Sequence, residues 1–413
     1  MDFWKEALMA WDVRPTTSLE EFADAIGAIS HYFGQGEPDH PRAERFSRAL
    51  PFERMHAAWD GDRIVGGAGA FPFEFSVPGG TLPCGGVTVV GVLPTHRRRG
   101  VLTAMMRTQL EDIARRGEPI ATLWASEETI YGRFGYGIAS WSGEVELPRT
   151  YGSLRKPADS SARTRLVSLE AAKQLVPPIY DRVRLETPGM FSRPPAWWEN
   201  RILADPPERR NGGGAKNIVL LEVDGRPAGY ALYRLTMKWE GGSSAGHVEV
   251  IEAMADSPLA VRELWRFLLE LDWVATIRAG LLPIDHPLLL LLRTPRRMQM
   301  RFGDALWCRL VDVGAALSGR SYASDAEVVL EVTDEFLPAN TGRWRLAGGE
   351  AGRTDAEAEL ALDVAELGSV YLGGITFAEL GRAGLIRELT PGAVERADAT
   401  FASGIKPWCP EIF

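Results

Sequence analysis

Cysteine is scarce in this sequence of 413 residues, which has three widely separated copies at positions 84, 308 and 409. A disulfide framework or a thiolate zinc site needs several cysteines at short spacing, so neither is expected. The six histidines show no H-x-x-x-H spacing, and Walker A, G-x-S-x-G and C-x-x-C motifs are missing too. These absences argue against a metal cofactor, a P-loop site and a serine-hydrolase mechanism, and they favour a reducing cytoplasm.

Long apolar runs and an excess of positive charge are also missing. No run of about 18 uncharged apolar residues occurs, so we expect no membrane-spanning helix. The five leucines at 288–292 are too few to span a bilayer and predict a buried segment. The chain start, MDFWKEALMAWDVRPTT, mixes acidic with apolar residues and lacks the layout of a signal peptide. The net charge of −9 argues against a nucleic-acid partner and mildly favours a cationic one.

The length and the apolar pattern predict two or three domains. Two predicted strands flank the turn dipeptide Asp60-Gly61 as a hairpin, and VTVVGVL (87–93) predicts a third strand. An amphipathic helix at 102–117 and a buried strand at 120–126 follow. This order defines a first structural segment of mixed α/β type.

The same order of elements recurs further along the chain. Two predicted strands flank Asp224-Gly225, HVEVIEAMA (247–255) predicts the next strand, and helix 259–272 and strand 274–280 follow. An internal repeat on this scale indicates two domains of one fold in tandem. Beyond about residue 300, strand-like stretches alternate with short helices, which predicts a third, α+β unit.

The loop PTHRRRGVL (94–102) distinguishes the first copy of the repeat from the second. At the corresponding place the second copy reads DSPLAV (256–261). A glycine at a helix start after a strand leaves backbone N–H groups unpaired, and the helix dipole adds positive potential. Arginine can bind phosphate oxygens through two parallel hydrogen bonds. We therefore predict a phosphate-binding loop, in preference to a solvated basic face or a nucleic-acid patch.

With its surroundings, this loop resembles the acyl-coenzyme A loop of the GCN5-related N-acetyltransferases (GNAT), usually R/Q-x-x-G-x-G/A. Residues 97–102 read RRRGVL, so that Leu102 replaces the small final residue. ASEETIYGRFGYG (125–137) and the apolar end PWCPEIF (407–413) narrow the resemblance to the Eis (enhanced intracellular survival) family. The resemblance extends over essentially the whole chain.

The resemblance implies an α/β (α+β) fold with tandem GNAT domains followed by a domain similar to sterol carrier protein 2. The implied domains are 1–153, an N-terminal GNAT domain with the acetyl-CoA site; 154–300, a degenerate GNAT-like domain; and 301–413, the sterol-carrier-like domain that ends in the catalytic C-terminus. The segment TDEFLPANTGRWRL (333–346) is similar to part of the last domain.

Acetyl-CoA is the implied co-substrate, and no metal is expected. The residues implied to bind it belong to a strand end, the loop with the following helix start, and the end of the next strand: Val90, Gly91, Val92, Arg97, Arg98, Arg99, Gly100, Val101, Leu102, Thr103, Ser126 and Glu127. A free strand end can pair with the pantetheine amides, and a backbone N–H such as that of Val90 would stabilise an oxyanion. By themselves, Val90 and Val92 predict core packing, and Ser126 and Glu127 a helix N-cap.

The resemblance further implies Tyr131 as the general acid and the C-terminal carboxylate, here that of Phe413, as the general base. A free phenol has a pKa of about 10 and a thiol about 8.5, so donation to a thiolate is uphill by roughly 2 kcal/mol. An exposed terminal carboxylate, with a pKa of about 3.5, is a weak base, and burial among apolar residues would raise that pKa. By itself, the residue pattern predicts that Tyr131 and Tyr136 pack in a Gly-rich turn and that the tail packs between domains.

Polycationic primary amines such as aminoglycosides are the implied substrates, with protein or peptide lysine as a second class. Glu411 is the acidic residue nearest to the base in sequence and would attract such a cation. Ile412 and Trp124 depart from the family pattern, which has an acid and a smaller ring there. A hexameric homo-oligomer is also implied. Two other hypotheses remain: a lipid- or small-ligand-binding protein with relic acetyltransferase domains, and a nucleic-acid-binding regulator, which lacks a basic surface.

Overall fold

The computed structural model describes residues 11–34, 40–156 and 160–413. These residues form two compact units. Unit 1 comprises residues 11–140, 305–404 and 412–413, and unit 2 comprises residues 141–304 and 405–411. The first ten residues, part of the start predicted to lack a signal peptide, lie outside the described residues.

The strands of the described residues fall into three consecutive groups along the chain. Unit 1 begins with β1 (Asp12–Pro15), β2 (Met55–Asp60), β3 (Arg63–Val77), β4 (Gly80–Val92), β5 (Ile120–Trp124) and β6 (Gly137–Ile138). Unit 2 contains β7 (Trp141–Pro148), β8 (Arg163–Leu166), β9 (Lys216–Val223), β10 (Arg226–Thr236), β11 (Trp239–Glu240), β12 (Ser243–Ser244), β13 (His247–Ala255), β14 (Thr276–Pro283) and β15 (Arg301–Asp304). The chain returns to unit 1 with β16 (Leu306–Leu310), β17 (Val328–Thr333), β18 (Gly342–Ala347), β19 (Glu350–Arg353), β20 (Leu360–Asp363) and β21 (Ile386–Glu388).

The helices are mostly short. Unit 1 contains α1 (Leu19–Ser30), α2 (His40–Ser47), α3 (Val101–Arg115) and α4 (Glu128–Tyr131). Unit 2 contains α5 (Leu169–Leu175), α6 (Pro177–Glu186), α7 (Pro195–Trp197), which continues as a π-helical turn (Trp198–Ile202), α8 (Pro258–Leu269) and α9 (Leu288–Leu291). The last part of unit 1 contains α10 (Val313–Ser318), α11 (Val364–Tyr371), α12 (Phe377–Arg382) and α13 (Ala393–Phe401). Throughout the described ranges, helices that combine the length and apolarity needed to cross a membrane are absent.

The first sheet of unit 1 has the strand order β1-β2-β3-β4-β5-β16-β6. The predicted hairpin is confirmed, because β2 and β3 pair antiparallel around Gly61, whose φ is +65°. The strand predicted at 87–93 is longer than its apolar pattern indicated. It begins at Gly80, after a turn at Gly79 with a φ of +77°, and pairs with β3 from there. β16, which follows unit 2 in the chain, pairs with the edge of β5 that faces away from β4.

A β-bulge interrupts β4 near its end. Gly67 of β3 pairs with Gly91 of β4, but the register then shifts, so that Val89 and Val90 face the single residue Ala68. Val89 takes a positive φ of 48° to accommodate the extra residue. Bulges of this kind bend a strand and re-aim its side chains and backbone groups.

The glycines beside this bulge allow helix α1 to lie against the sheet. A Cβ on Gly67 would lie 2.3 Å from the carbonyl oxygen of Ala25, and a Cβ on Gly91 would lie 2.7 Å from the Cα of Ile29. Any side chain at either position would push the helix away. Gly91, predicted from the family pattern as a cofactor residue, therefore also has a packing reason to be glycine.

Unit 2 repeats the order of elements found in the first sheet, as the internal repeat predicted. Its large sheet has the order β15-β7-β14-β13-β10-β9-β8. β9 and β10 form a hairpin around Asp224 and Gly225, both with positive φ, and β13 pairs parallel with β14. The sheet of unit 2 takes β7 from before residue 153, and the first sheet of unit 1 takes β16 from after residue 300. The domain limits at these positions remain a prediction.

The last part of unit 1 is an α+β arrangement, as predicted. Its sheet has the order β19-β18-β17-β20-β21, in which only the β17–β20 pair is parallel among the strands described. α11 packs on β16 through Gly368, where a Cβ would lie 2.3 Å from the Cys308 carbonyl oxygen. The sterol-carrier-like part thus packs on the first sheet within one unit.

The predicted burial of the five-leucine run is wrong for its central residue. Leu288 and Leu292 are buried, but Leu290 is 76% exposed. The segment forms the single-turn helix α9, and successive residues of a helix point in different directions. Composition alone therefore overestimated how much of the run is buried.

Candidate active site

Strands β4 and β5 diverge in the middle of the first sheet. They pair parallel only from Cys84–Ile120 to Gly86–Thr122, while β4 continues to pair with β3 as far as Val92. The bulge at Val89 and Val90 bends β4 in the part of the strand that no longer pairs with β5. The result is a split in the sheet whose edge is the backbone of residues 87–92. Such an edge can accept an extended ligand as an added strand.

The loop after β4 carries two left-handed residues. Arg98 has a φ of +59° and Gly100, the N-cap of α3, has a φ of +84°. Gly100 has no side chain to accept a bond from the helix, so the first N–H groups of α3, those of Val101, Leu102 and Thr103, receive no side-chain cap from it. This is the backbone arrangement that binds phosphate at a helix N-terminus.

The three arginines of the loop are exposed but differ in their contacts. Arg97 Nε donates to the Pro94 carbonyl at 3.3 Å. The guanidinium of Arg99 lies over the ring of Trp11, 5.2 Å from its centroid. Arg98 has the left-handed backbone described above. Their side chains therefore do not form one uniform basic face, and Arg99 is oriented by an aromatic neighbour.

The strand-end residues predicted to bind the co-substrate lie along the split. Val90 and Val92 are partly buried and pack against a small apolar cluster that includes Val101. The carbonyl oxygen of Val92 accepts a hydrogen bond of 2.7 Å from the hydroxyl of Tyr32. The packing predicted for these valines is therefore observed. Their backbone follows the open edge, and its role in binding the co-substrate stays a prediction.

Ser126 and Glu127 lie just beyond the end of β5, after one intervening residue, on the other side of the split, and both are exposed. Glu127 is the N-cap of the short helix α4, but its side chain makes no capping hydrogen bond. The helix-cap interpretation therefore has only positional support. Their exposure leaves both side chains open to a ligand.

Tyr131 lies at the end of α4 and is 9% exposed. It belongs to an apolar cluster with Val87 of β4 and Leu123 of β5, one on each side of the split. Burial raises the pKa of Tyr131 to about 12, so the phenol is neutral and protonated at physiological pH. Its ring meets that of Tyr136 edge to face at 6.0 Å. Tyr136 is fully buried, as its packing interpretation predicted.

A residue of the sterol-carrier-like part supports the turn that carries Tyr131. Phe336 meets Phe134 edge to face at 5.0 Å, and both belong to the Tyr131 cluster. Arg107 of α3 lies over the Phe336 ring at 4.5 Å and donates to its carbonyl at 3.0 Å. Sequence reasoning did not identify Phe336, because nothing local marks a contact between segments about 200 residues apart.

The terminal residue Phe413 is 8% exposed and lies in unit 1. Its ring meets that of Phe73 edge to face at 5.0 Å. The Phe73 ring in turn covers Gly86, where a Cβ would lie only 2.1 Å from that ring. Gly86 is the last residue of β4 that pairs with β5, so these contacts connect the chain end to the beginning of the split.

The prediction that Glu411 attracts a cationic substrate is wrong. Glu411 is buried in unit 2, where it accepts from Arg193 Nε at 3.1 Å and from Trp197 Nε1 at 2.9 Å. Arg201 forms a further ion pair with it at 3.2 Å. Arg193 also binds both carboxylate oxygens of Glu252, at 3.0 and 2.7 Å. The Glu411 charge is thus neutralised by protein cations and anchors the tail segment within unit 2.

Replacing Glu411 by alanine is expected to destabilise unit 2 by about 3 kcal/mol, because it leaves the half-buried Arg201 guanidinium and the buried Trp197 N–H without their carboxylate. Denaturant unfolding followed by tryptophan fluorescence measures the effect. Glu240→Ala is the matched control, since Glu240 pairs with Lys238 on the surface and its loss should leave the midpoint unchanged. Equal midpoints for Glu411→Ala and the wild type would disprove the anchoring role.

The corresponding loop of unit 2 lacks the phosphate-binding features. Ser257 caps α8 by accepting from the N–H of Ala260 at 3.3 Å, and Pro258 occupies the first turn. A capped helix start without arginine or a left-handed glycine offers fewer free donors to an anion. Of the two loops, the one in unit 1 is therefore the stronger candidate for binding an anion.

Comparison with known proteins places these features in a family. Models of an acetyltransferase (GNAT) domain match residues 12–139 and 189–310, and a model of a sterol carrier protein domain matches residues 313–410. An uncharacterized N-acetyltransferase of Streptomyces avermitilis is 44% identical to this protein, in an alignment that covers 93% of this chain and 95% of the relative. N-acetyltransferase Eis of Mycobacterium tuberculosis is 36% identical, in an alignment that covers 84% of this chain and 85% of the relative. The chain belongs to the Eis family of GCN5-related N-acetyltransferases.

A solved structure of the Eis family agrees with this assignment. The crystal structure of Eis1 from Mycobacterium abscessus superposes with a TM-score of 0.85 at 37% identity, over 97% of this chain and 100% of that chain. The predicted fold class of tandem GNAT domains followed by a sterol-carrier-like domain is confirmed.

As an Eis-family member the protein is an N-acetyltransferase that acts on amines. GNAT acetyltransferases use acetyl-CoA as the acetyl donor. The roles of single site residues stay predictions.

Proposed function

We propose that this Eis-family acetyltransferase acetylates primary amines of polycationic, aminoglycoside-type substrates by direct attack on the thioester of acetyl-CoA. The observation that carries the proposal is the placement of Phe413 at the beginning of the β4–β5 split, through Phe73 and Gly86. A carboxyl-terminal residue beside a co-substrate split is well placed to accept a proton. Tyr131 packs against both strands that border the same split.

Binding of the co-substrate is assigned to the twelve residues predicted from the family pattern. The backbone of Val90–Val92 would pair with the pantetheine amides, and the first N–H groups of α3 would hold the pyrophosphate. Arg97 and Arg98 would add positive charge, while Arg99 acts mainly through its backbone. Ser126 and Glu127 would contact the opposite side. A backbone N–H of the bulge, such as that of Val90, would stabilise the oxyanion.

The reaction needs two proton transfers, one from the attacking amine and one to the departing sulfur. The Phe413 carboxylate takes a proton from the attacking amine, the new C–N bond forms, and the C–S bond breaks. Tyr131 gives its proton to the departing sulfur. With the Tyr131 pKa at about 12 and an ordinary thiol at about 8.5, this transfer is uphill by about 5 kcal/mol. Burial raises the pKa of a thiol as well, which reduces the difference where both groups are buried.

A cationic substrate is supported by acidic residues of unit 1. Glu20 and Asp24 lie on α1, the helix that packs at the bulge, and burial together with the charge of Glu20 raises the pKa of Asp24. Glu127 and Glu128, the N-cap and the first residue of α4, are exposed. These carboxylates would raise the local concentration of a polycation.

The remaining parts of the proposal come from the family resemblance. They are the domain limits at 1–153, 154–300 and 301–413, a hexameric assembly and a cytoplasmic location. The family-model matches at 12–139, 189–310 and 313–410 support a division into three domains.

A thiol-release assay tests the proposed substrate class. Purified protein is mixed with acetyl-CoA and a panel of an aminoglycoside, a lysine-containing peptide and a simple monoamine. We expect the highest kcat/KM for the aminoglycoside, because it carries several amines in one molecule. Faster turnover of the peptide would instead identify a protein or peptide lysine acetyltransferase. Mass spectrometry of the product identifies the acetylated amine.

A further inference from the structure

The central part of the predicted phosphate-binding loop, residues 95–100, is held in place by residues outside the loop. The proposed mechanism does not use these residues. The indole N–H of Trp11, which precedes β1, donates to the carbonyl oxygen of Arg99 at 2.8 Å. The same ring carries the guanidinium of Arg99 at 5.2 Å. Trp11 thus contacts the backbone and the side chain of one loop residue. Its own ring packs on the apolar cluster that includes Val101, the first residue of α3.

A second set of contacts holds the beginning of the loop. Both ring nitrogens of His96 are engaged, Nδ1 with Thr95 Oγ1 at 2.8 Å and Nε2 with Asp60 Oδ2 at 3.0 Å. Asp60 is the last residue of β2, directly before the tight turn to β3, so the imidazole bridges the loop to a hairpin of the sheet. The rings of His96 and Trp11 meet edge to face at 6.2 Å, which joins the two sets of contacts.

The backbone of the loop needs such support. Arg98 has a φ of +59°, a left-handed conformation that is unfavourable for a residue with a Cβ. Conformations of this kind persist where the surrounding structure determines them. The Trp11 contact to Arg99 and the Asp60 contact to His96 fall on the two sides of Arg98 along the chain. They restrain the loop before and after its strained residue.

We propose that Trp11 and Asp60 are positioning residues that hold loop 95–100 in its phosphate-binding conformation before acetyl-CoA arrives. The inference rests on the proposed assignment of this loop to the phosphates of acetyl-CoA. A pre-organised loop loses less conformational freedom on binding, so affinity rises without any direct contact. The two residues act through the backbone N–H groups of the loop and touch no reacting atom.

Truncations and matched controls separate this role from general stability. Trp11→Phe removes the N–H donor and keeps an aromatic ring under Arg99. Trp59→Phe is its control, because the buried indole N–H of Trp59 has no hydrogen-bond partner among the described residues. Asp60→Ala removes the acceptor for His96, Asp60→Asn restores one, and Asp62→Ala is a control in the same turn.

The decisive measurement compares two acetyl donors. We expect Trp11→Phe and Asp60→Ala each to lower affinity for acetyl-CoA about fivefold, the effect of one hydrogen bond. Kinetics with S-acetylpantetheine, which lacks the phosphates, should be unchanged, and Asp60→Asn should bind acetyl-CoA nearly as the wild type does. Equal losses with both donors, or no loss with either, would overturn the proposal.

Hydrogen exchange of the loop amides tests the positioning without any ligand. In Trp11→Phe and Asp60→Ala, exchange of the His96 and Ala104 amides, which are hydrogen-bonded to backbone carbonyls at the two ends of the loop, should accelerate about fivefold over the wild type, and the two controls should leave it unchanged. Unchanged exchange in both truncations would overturn the proposal even if acetyl-CoA binds. Faster exchange in a protein whose wild type fails to bind acetyl-CoA would support the positioning role and reject the proposed function of the loop.

Discussion

Adding a single glycine after Phe413 is expected to lower kcat by about 10²–10⁴-fold, which corresponds to about 3–5 kcal/mol of transition-state stabilisation. The extension converts the Phe413 carboxylate into a peptide carbonyl, which cannot accept the amine proton. It moves the nearest carboxylate by about 3.5 Å, one residue of chain. Every side chain is kept, including the ring that packs on Phe73 at 5.0 Å. Steady-state thiol release with saturating acetyl-CoA measures the change.

Two controls show whether the carboxylate itself is responsible. A glycine added at the N-terminus should leave kcat unchanged. Phe413→Leu keeps the carboxylate but loses the edge-to-face contact with Phe73, so a smaller loss, about tenfold, is expected. The KM for acetyl-CoA should stay the same in the extended protein, because the predicted phosphate contacts lie elsewhere in unit 1. An extended protein that turns over within about threefold of the wild type would disprove the terminal base.

Replacing Tyr131 by phenylalanine is expected to lower kcat by about 10²–10³-fold with a coenzyme A leaving group, within the usual range for a general acid. The loss should shrink with a donor whose thiol is more acidic, because such a thiolate departs without a proton. Comparing the two donors in the same variant measures this directly. The same loss with both donors would show that Tyr131 positions the substrate and does not donate a proton.

Tyr136→Phe is the matched control for Tyr131→Phe. Its hydroxyl is fully buried and has no hydrogen-bond partner in the described structure, so removing it should leave kcat unchanged and stability equal or higher. The two rings lie 6.0 Å apart, and their substitutions therefore disturb the same cluster to a similar degree.

The raised pKa of Tyr131 also fixes the direction of its pH dependence. The phenol of an unfolded chain titrates near pH 10, and burial moves the Tyr131 pKa to about 12. The acid therefore stays protonated over the working range, and it should produce no descending limb in the kcat profile below about pH 11. For the same reason its contribution to stability is complete below about pH 10 and is lost as the pH rises towards 12.

Much of the candidate site was predictable because its signals are local. The strand, the glycine loop and the helix of residues 87–115 follow one another in the chain, and their turn chemistry can be read from a short window. The distinction between Tyr131 and Tyr136, in contrast, was not predictable from local signals. Both are tyrosines of one Gly-rich turn, and only the structure shows that Tyr136 is enclosed while Tyr131 keeps a small exposed fraction.

Burial of individual charges was the least predictable property. Glu411 reads as an ordinary acid near the chain end, yet it is paired with Arg193 and Arg201 in unit 2. The support of the loop by Trp11 and Asp60 had no sequence signal either. Each of these contacts joins residues that are distant along the chain, and no periodicity or spacing marks such pairs.

The sequence by itself determined the repeat of two similar domains, the third α+β part, the glycine loop between β4 and α3 and the apolar chain end, because each depends on neighbours within a few residues. Only the tertiary structure decided that β16 joins the first sheet beside β5, that Phe413 packs on Phe73 and that Glu411 is neutralised in unit 2. These outcomes depend on which distant surfaces fit together and exclude water. Packing of that kind is a property of the folded chain as a whole.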